Sequence, residues 1–362
     1  MTDGLRGAYA RANDAWYAPL VKGGLGFAVL AALPFLLDYS FLGLSLGAFL
    51  SVNILIVTVV YATAGQAWNI ISGYTGYFSF GHAAYFGAGA YTTSYLSVEF
   101  AINPWLGLLV GGLVAAAIGL VVGYLNFRYN LRGHYFALAT FAVALLLQSA
   151  VQNISELGGA VGIYRPFPRD YGAEFGLAAM QFEETLPYYF VILAFLLVVT
   201  VAAWLIKHSQ IGLYLFAIRE NEDAAASLGI SPFANKMFAM GVSAFFTAWA
   251  GAFWSMYLTL VRPSTVFGIS QNVEILLPAI VGGTGSVVGV ILGAFLVFPL
   301  SEFFRISFPD TPGLNTIVYG LALVLVAVLL PNGVISLKKY VFWWRDDAER
   351  GSADDDEPPA QE

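Results

Sequence analysis

The chain has 362 residues, of which 59% are hydrophobic and only 11% charged, against about 25% charged in an ordinary soluble domain. It contains no cysteine, which excludes disulfides, thiol catalysis, zinc ribbons and iron–sulfur clusters. The net charge of −7 is concentrated in an acidic C-terminal tail and says little about the apolar body.

Residues 1–23 lack the apolar core of a signal peptide. With Trp16 and Tyr17 close to Arg11 and Lys22, they read as a segment lying along the membrane interface. Beyond them the chain repeatedly offers the runs of about 20 apolar residues that a bilayer crossing needs. Stretches such as 191–203 and 321–330 do not alternate polar and apolar residues, so a β-barrel is excluded. The fold class is therefore all-α, a polytopic membrane bundle. About ten spans are predicted, at 24–43, 47–71, 78–98, 104–126, 134–153, 187–206, 237–260, 267–283, 286–305 and 313–331. The third starts in a Gly-rich stretch and the eighth is short, so both are candidates for broken or re-entrant helices. Residues 334–362 form an acidic tail expected to be disordered.

Placing the N-terminus inside puts twelve of the 16 Lys and Arg residues on the cytoplasmic side, a clear positive-inside bias. These are Arg6, Arg11, Lys22, Arg128, Arg132, Lys207, Arg219, Lys236, Lys338, Lys339, Arg345 and Arg350. Only Arg165, Arg169, Arg262 and Arg305 fall outside. An even span count returns the C-terminus to the cytoplasm. The loop 154–187 becomes external and 207–236 becomes the largest internal loop.

Lipid removes the hydrophobic drive between helices, so close backbone approach carries more of the packing. Gly107, Gly111, Gly119 and Gly123 recur on one ridge of the fourth span, and Gly285, Gly289 and Gly293 on the ninth. Both ridges read as helix packing within one subunit, with a subunit interface as the alternative. The run Gly283-Thr-Gly-Ser-Val-Val-Gly289 is no phosphate loop, because no strand precedes it and no Lys follows.

Two segments point to function. The first is Gly73-Tyr-Thr-Gly-Tyr-Phe-Ser-Phe-Gly-His82. Irregular backbone at membrane depth is tolerated where it is buried or lines a cavity, and free N–H groups at a helix start favour a carboxylate. Gly73, Gly76, Ser79, Gly81 and His82 are the candidate substrate path, in the manner of the broken helices of transporters, with Phe78, Phe80 or Phe86 against an apolar side chain. A tight cytoplasmic turn is the competing reading. A proton relay through His82 lacks a carboxylate in mid-membrane, since Glu274 and Glu302 fall towards the outer ends of their predicted spans. No metal cluster, no paired carboxylates and no Ser/His/Asp arrangement stand out, so the chain is not read as an enzyme.

The second segment is the internal loop 207–236. Glu222 and Asp223 open a short helix where the dipole favours negative charge. Ala224, Ala225 and Ala226 extend it with little bulk, and Gly229 and Pro232 end it. Such a helix suits a groove on a cytoplasmic partner.

The run Asp223-Ala-Ala-Ala-Ser-Leu-Gly229 resembles the EAA loop of ABC importer permeases. Residues 73–91, Leu131-Arg-Gly-His-Tyr-Phe-Ala137, Ala217-Ile-Arg-Glu-Asn-Glu222 with its continuation, Gly282-Gly-Thr-Gly-Ser286 and Pro331-Asn-Gly333 together resemble the LivM-type permease of branched-chain amino acid transporters. The resemblance covers about residues 53–333. It departs at His134, where that type commonly has Asp, and at Gly158-Gly-Ala-Val-Gly162, where a Gly-Gly-Pro-Asp-Gly-like run is expected. The apolar–Leu–Pro ending of the general EAA motif is also missing after Gly229.

The resemblance implies a multi-pass permease in the plasma membrane of a prokaryote. It would carry leucine, isoleucine or valine, with 24–333 as the transmembrane domain. Glu222, Asp223, Ala224, Ala225 and Gly229 would couple to two separate ATPase subunits, which hold ATP and magnesium; this chain would bind no cofactor itself. A second homologous permease and an extracytoplasmic substrate-binding protein complete the expected partners, with the bilayer around them and no nucleic acid. Urea, short amides or other amino acids remain alternative substrates, and an ion-coupled secondary transporter the alternative class.

Overall fold

The computed structural model describes residues 18–36, 51–165 and 176–307, a short pair of strands within 40–45, and isolated positions between 313 and 334. The tenth predicted span, the acidic tail and residues 1–17 fall outside these described residues apart from those positions.

Helix α1 (Ala18–Leu36) ends earlier than the predicted span 24–43. Strands β1 (Ser40–Phe41) and β2 (Leu44–Ser45) pair antiparallel just beyond it. Helix α2 (Val52–Trp68) starts where Ser51 accepts a hydrogen bond from the Ile54 amide at 3.4 Å. It runs on through one π-helical turn, Asn69–Gly73. Six non-helical residues, 76–81, then precede α3 (His82–Glu99), so the third predicted span begins as a broken helix. Asn103 caps α4 (Pro104–Arg128), whose Pro104 occupies the first turn, where its missing N–H costs nothing. Helix α5 (His134–Gln152) follows.

After the outer loop come α6 (Leu186–His208), the short inner helices α7 (Gln210–Glu220) and α8 (Glu222–Ser227), and the long α9 (Pro232–Tyr257). The eighth predicted span, 267–283, is filled by one helix, α11 (Ile269–Gly282), which restarts after Gly268 just beyond the short α10 (Pro263–Val266). Helix α12 (Val287–Ser307) closes the described bundle.

Seven helical stretches among the described residues are long and apolar enough to cross a bilayer. Helix α3, rich in Tyr, Thr and Ser, is not among them. The bundle is a polytopic helical membrane protein. Its centre is α2 with its π turn, 89% of whose apolar window is buried, against 17% for α5. Helix α2 packs against α6, α9, α11 and α12, and α9 also covers α3 and α4. Leu113, Leu138 and Leu146 on α4 and α5 stay exposed, a face that costs nothing against hydrocarbon.

The small-residue ridge of α4 lies against neighbours in the same chain. A Cβ at Gly107 would sit 3.1 Å from Thr93, at Gly111 3.2 Å from the Gly89 carbonyl, at Gly119 2.7 Å from Ala244 and at Gly123 3.2 Å from Met237. On α12, a Cβ at Gly289 would lie 2.5 Å from the Gly282 carbonyl oxygen and one at Gly293 2.1 Å from that of Pro278. At the outer end, β3 (Ile163–Tyr164) pairs antiparallel with β4 (Leu260–Val261), and the Tyr91 hydroxyl donates to the Val261 carbonyl at 3.1 Å. This pins part of the outer loop to the membrane helices.

Candidate functional site

The two segments singled out in the sequence meet at one end of the bundle. The loop begins with α7, capped by Ser209, and turns sharply at Asn221. The Asn221 side chain accepts from the Ala224 amide at 2.9 Å and so starts α8. The helix ends in a Schellman arrangement: Ile230 N–H bonds the Ala225 carbonyl and Gly229 N–H the Ala226 carbonyl. Gly229 takes φ +83° there, a left-handed conformation that costs an L side chain about 1–2 kcal/mol. Ser231 and Pro232 then open α9.

One side of α8 is rooted. Ala225 is buried. Glu222 pairs with Lys236 Nζ at 2.5 Å and accepts from the Tyr77 hydroxyl at 2.5 Å. Lys236 also donates to Tyr77 at 3.0 Å and lies 4.4 and 4.8 Å from the ring centres of Tyr77 and Phe127, within cation–π range. Arg132 Nη2 holds Asp223 at 3.1 Å. Burial works to raise the Glu222 pKa, but hydrogen bonds from Lys236 and Tyr77, aided by the charges of Lys236 and Arg132, hold it below the ordinary carboxylate value. The bond and charge of Arg132 lower that of Asp223.

The other side of α8 is open. Ala224 and Ala226 are exposed, and Leu228 is 83% exposed. Leu228 was not among the expected coupling residues, although a lone leucine beside a helix-ending glycine is a signal the sequence carries. Tyr77, Arg132 and Lys236 were missed as functional partners because they come from three distant parts of the chain.

Further ties join the loop to the end of α2. Arg219 Nη1 donates to the Gly73 carbonyl at 2.6 Å, and Lys207 Nζ to the Gly285 carbonyl at 2.7 Å. Asn69 accepts from the Gly285 amide at 2.7 Å. Gly73 and Gly285 thus belong to one joint: a Cβ on Gly73 would lie 1.9 Å from Asn69 Oδ1 and 2.7 Å from Gly285 N.

Beyond Gly76 the chain re-enters the bundle, and several of the amides around the start of α3 are taken up internally. Ser79 N–H bonds Ser72 Oγ at 3.1 Å, Phe80 N–H bonds Thr140 Oγ1 at 3.1 Å, and Gly81 N–H bonds Ser79 Oγ at 3.3 Å. The Ala83 amide bonds Asn272 Oδ1 at 2.8 Å, and Trp68 Nε1 donates to the Ser79 carbonyl at 2.8 Å. These are the N–H groups expected to meet a substrate carboxylate. In this conformation the chain's own oxygens occupy them.

His82 is fully enclosed. Its Nε2 lies 2.8 Å from Ser243 Oγ and its Nδ1 3.1 Å from Ser79 Oγ. Ser243 donates its proton to the Ala67 carbonyl at 2.7 Å, so it accepts from His82. The imidazole therefore carries its proton on Nε2 and accepts from Ser79 on Nδ1. Among the described residues no three His, Asp or Glu side chains come together to hold a metal ion.

The position of Glu274 corrects the sequence reading. Helix α11 starts well inside the bundle. Ile275 lies against Gly65 of α2, and Gln271 accepts from the Tyr61 hydroxyl at 3.2 Å. Gly65 is about 20 Å along α2 from Val52 at 1.5 Å per residue. Glu274 therefore sits at mid-depth rather than at the outer end.

Residues 50–327 match the family described as branched-chain amino acid transport system / permease component. The chain is similar to the high-affinity branched-chain amino acid transport system permease protein LivM of Escherichia coli (strain K12), 28% identical over 83% of this chain and 73% of that one. It is equally similar, at 28%, to LivM of Salmonella typhimurium over 80% of this chain and 71% of the relative. A shorter match, 30% identical over 38% of this chain and 43% of the relative, is to the ribose import permease protein RbsC of Haemophilus influenzae. No solved structure matches the chain. The chain belongs to the branched-chain amino acid permease family of ABC importers, LivM type.

Proposed function

We propose that this chain is the membrane subunit of an ATP-driven importer for leucine, isoleucine and valine in a prokaryotic plasma membrane. The observation that carries this reading is the two-sidedness of α8, whose acidic start is tied to the end of α2 while Ala224, Ala226 and Leu228 are left open. That open face docks on a separate ATPase subunit. Closure of an ATPase pair pushes α8, and the Glu222–Tyr77 and Arg219–Gly73 bonds pass the movement to 73–82. Gly73, Gly76, Ser79, Gly81 and His82 then act as the joint that re-sets between outward and inward access. A second permease supplies the other half of the path, and an extracytoplasmic binding protein delivers substrate at the outer loop. The chain carries out no chemistry; ATP and magnesium stay on the partners.

The test is leucine uptake into proteoliposomes holding the full complex. Uptake is expected to need enclosed ATP and the binding protein, and to survive a protonophore. Uptake that follows a proton or sodium gradient without ATP would replace this reading with a secondary transporter. The partial match to a ribose permease favours a different polar solute as the second reading, which competition by unlabelled ribose and amino acids resolves.

A further inference from the structure

In contrast to the internally bonded segment before α3, one polar wall at mid-depth has unused groups. A cavity of about 710 Å³ opens between α2, α9, α11 and α12. Asn53, Tyr61, Trp254, Ser270, Glu274 and Phe298 line it. Tyr61 and Phe298 stack with ring centres 4.7 Å apart, giving the cavity an aromatic floor. The carboxylate of Glu274 lies on its wall with the Tyr61 hydroxyl as its hydrogen-bond partner, and no ion pair to it is formed among the described residues. Such a group cannot face hydrocarbon without a large penalty and marks a path or a ligand.

A second feature lies one turn away. Helix α11 starts at Gly268 without a side-chain cap. The amides of its first turn have no acceptor among the described residues, the first bond being Asn272 N–H to the Gly268 carbonyl. Gln271, 4% exposed, lies behind the cavity lining, where its Oε1 accepts from the Tyr61 hydroxyl and its Nε2 has no partner. Ser270 and Glu274 are four residues apart, so they share one face of α11 about 6 Å apart along its axis. Positive helix end and carboxylate thus stand in series at the spacing of a zwitterion held by hydrogen bonds of about 2.8 Å at each end. Arg305 is not part of this pair: it is bound to Glu302 and lies two turns beyond Phe298, at the mouth.

We infer that this cavity is a substrate site of the permease for a neutral α-amino acid. Glu274 accepts the ammonium, the α11 start with Ser270 receives the carboxylate, and Val57, Trp254 and Phe298 surround the aliphatic side chain. The inference rests on the importer reading above and adds to it the place where the substrate pauses in this subunit.

The absence of cysteine gives a direct test. Ser301→Cys, on the cavity wall, is introduced into the full transporter with its partner subunits, with Ser51→Cys as the second reporter. Labelling by a membrane-impermeant maleimide is followed with and without L-leucine, and with 4-methylpentanoate and isoamylamine, which each lack one charge. Leucine is expected to slow labelling several-fold and neither analogue to do so. Glu274→Gln should raise the leucine concentration for half-protection at least ten-fold without changing the unprotected rate, and Glu274→Asp should recover part of it. Unchanged labelling at saturating leucine in a complex that still imports leucine with ATP would overturn the site and leave the importer reading standing. Reporters that are labelled only when the second permease is absent would make the wall a subunit interface and also overturn it. No protection of the Ser301→Cys reporter, together with no ATP-driven leucine uptake by the wild-type complex, would sink the importer reading and this site together.

Discussion

The segments 73–82 and 207–236 are the two interruptions of an apolar chain, and they end in opposite circumstances. The first is sealed: several of its amides, its serine hydroxyls and both nitrogens of His82 are satisfied by the chain itself. The second is fixed at its root by Lys236, Tyr77 and Arg132 and left open at its tip around Leu228. A sealed polar segment defines a shape; an open one awaits a partner. The contrast separates what positions the machine from what drives it.

Substitutions can break this contrast, and the sealed side should suffer most. Gly73→Ala puts a methyl 1.9 Å from an Asn69 oxygen that is itself held by Gly285. It is expected to cost about 3–5 kcal/mol through overpacking and lost buried bonds, seen as a large loss of monodisperse protein in detergent. His82→Phe removes both ring bonds and leaves the Ser79 hydroxyl without its acceptor, while Ser243 keeps its bond to the Ala67 carbonyl. It should cost about 2–4 kcal/mol, measured as a lower Tm.

The root of α8 comes next. Glu222→Gln leaves the Lys236 ammonium, 3% exposed, without its counter-charge. A loss of about 2 kcal/mol is expected after allowance for the partly wet surroundings of Glu222. Adding Lys236→Met should recover part of that loss, and a strictly additive double variant would argue against the pairing. The pH dependence follows the same tie. Because the folded Glu222 pKa lies below its ordinary value of 4.5, its contribution is full above 4.5 and fades as the pH falls through the folded value. The Tm gap between wild type and Glu222→Gln should therefore be constant near neutrality and shrink in acid.

The open tip should behave the other way. Leu228→Asp is expected to shift stability by less than about 0.5 kcal/mol, yet to lower ATP-driven uptake at least ten-fold and weaken co-purification with the ATPase. If Leu228→Asp transported normally, the comparison would lose its meaning, because the exposed face would then be a solvated surface.

Much of the inner loop was legible in advance. Glu222 and Asp223 at a helix start, an alanine run and a glycine stop are local signals, and local backbone bonding decides them. The broken start at 73–82 was legible for the same reason. The role of Tyr77, Arg132 and Lys236 was not, since their meeting depends on three helices packing side by side. Glu274 was misplaced because its depth is set by the packing of α11 against Tyr61 and Gly65 of α2, a contact between distant parts of the chain.

By itself the sequence determined that this is a helical membrane protein and where the short helix 222–227 begins and ends. Those properties follow from hydropathy and from bonds between near neighbours. Only the tertiary structure decided which polar groups are used up and which are left over. Lipid offers no hydrogen bonds, so each buried donor must find its acceptor across the bundle, as Ala83 finds Asn272 and His82 finds Ser243. What remains unpaired after that search, at the tip of α8 and on the wall beside Glu274, is fixed by packing.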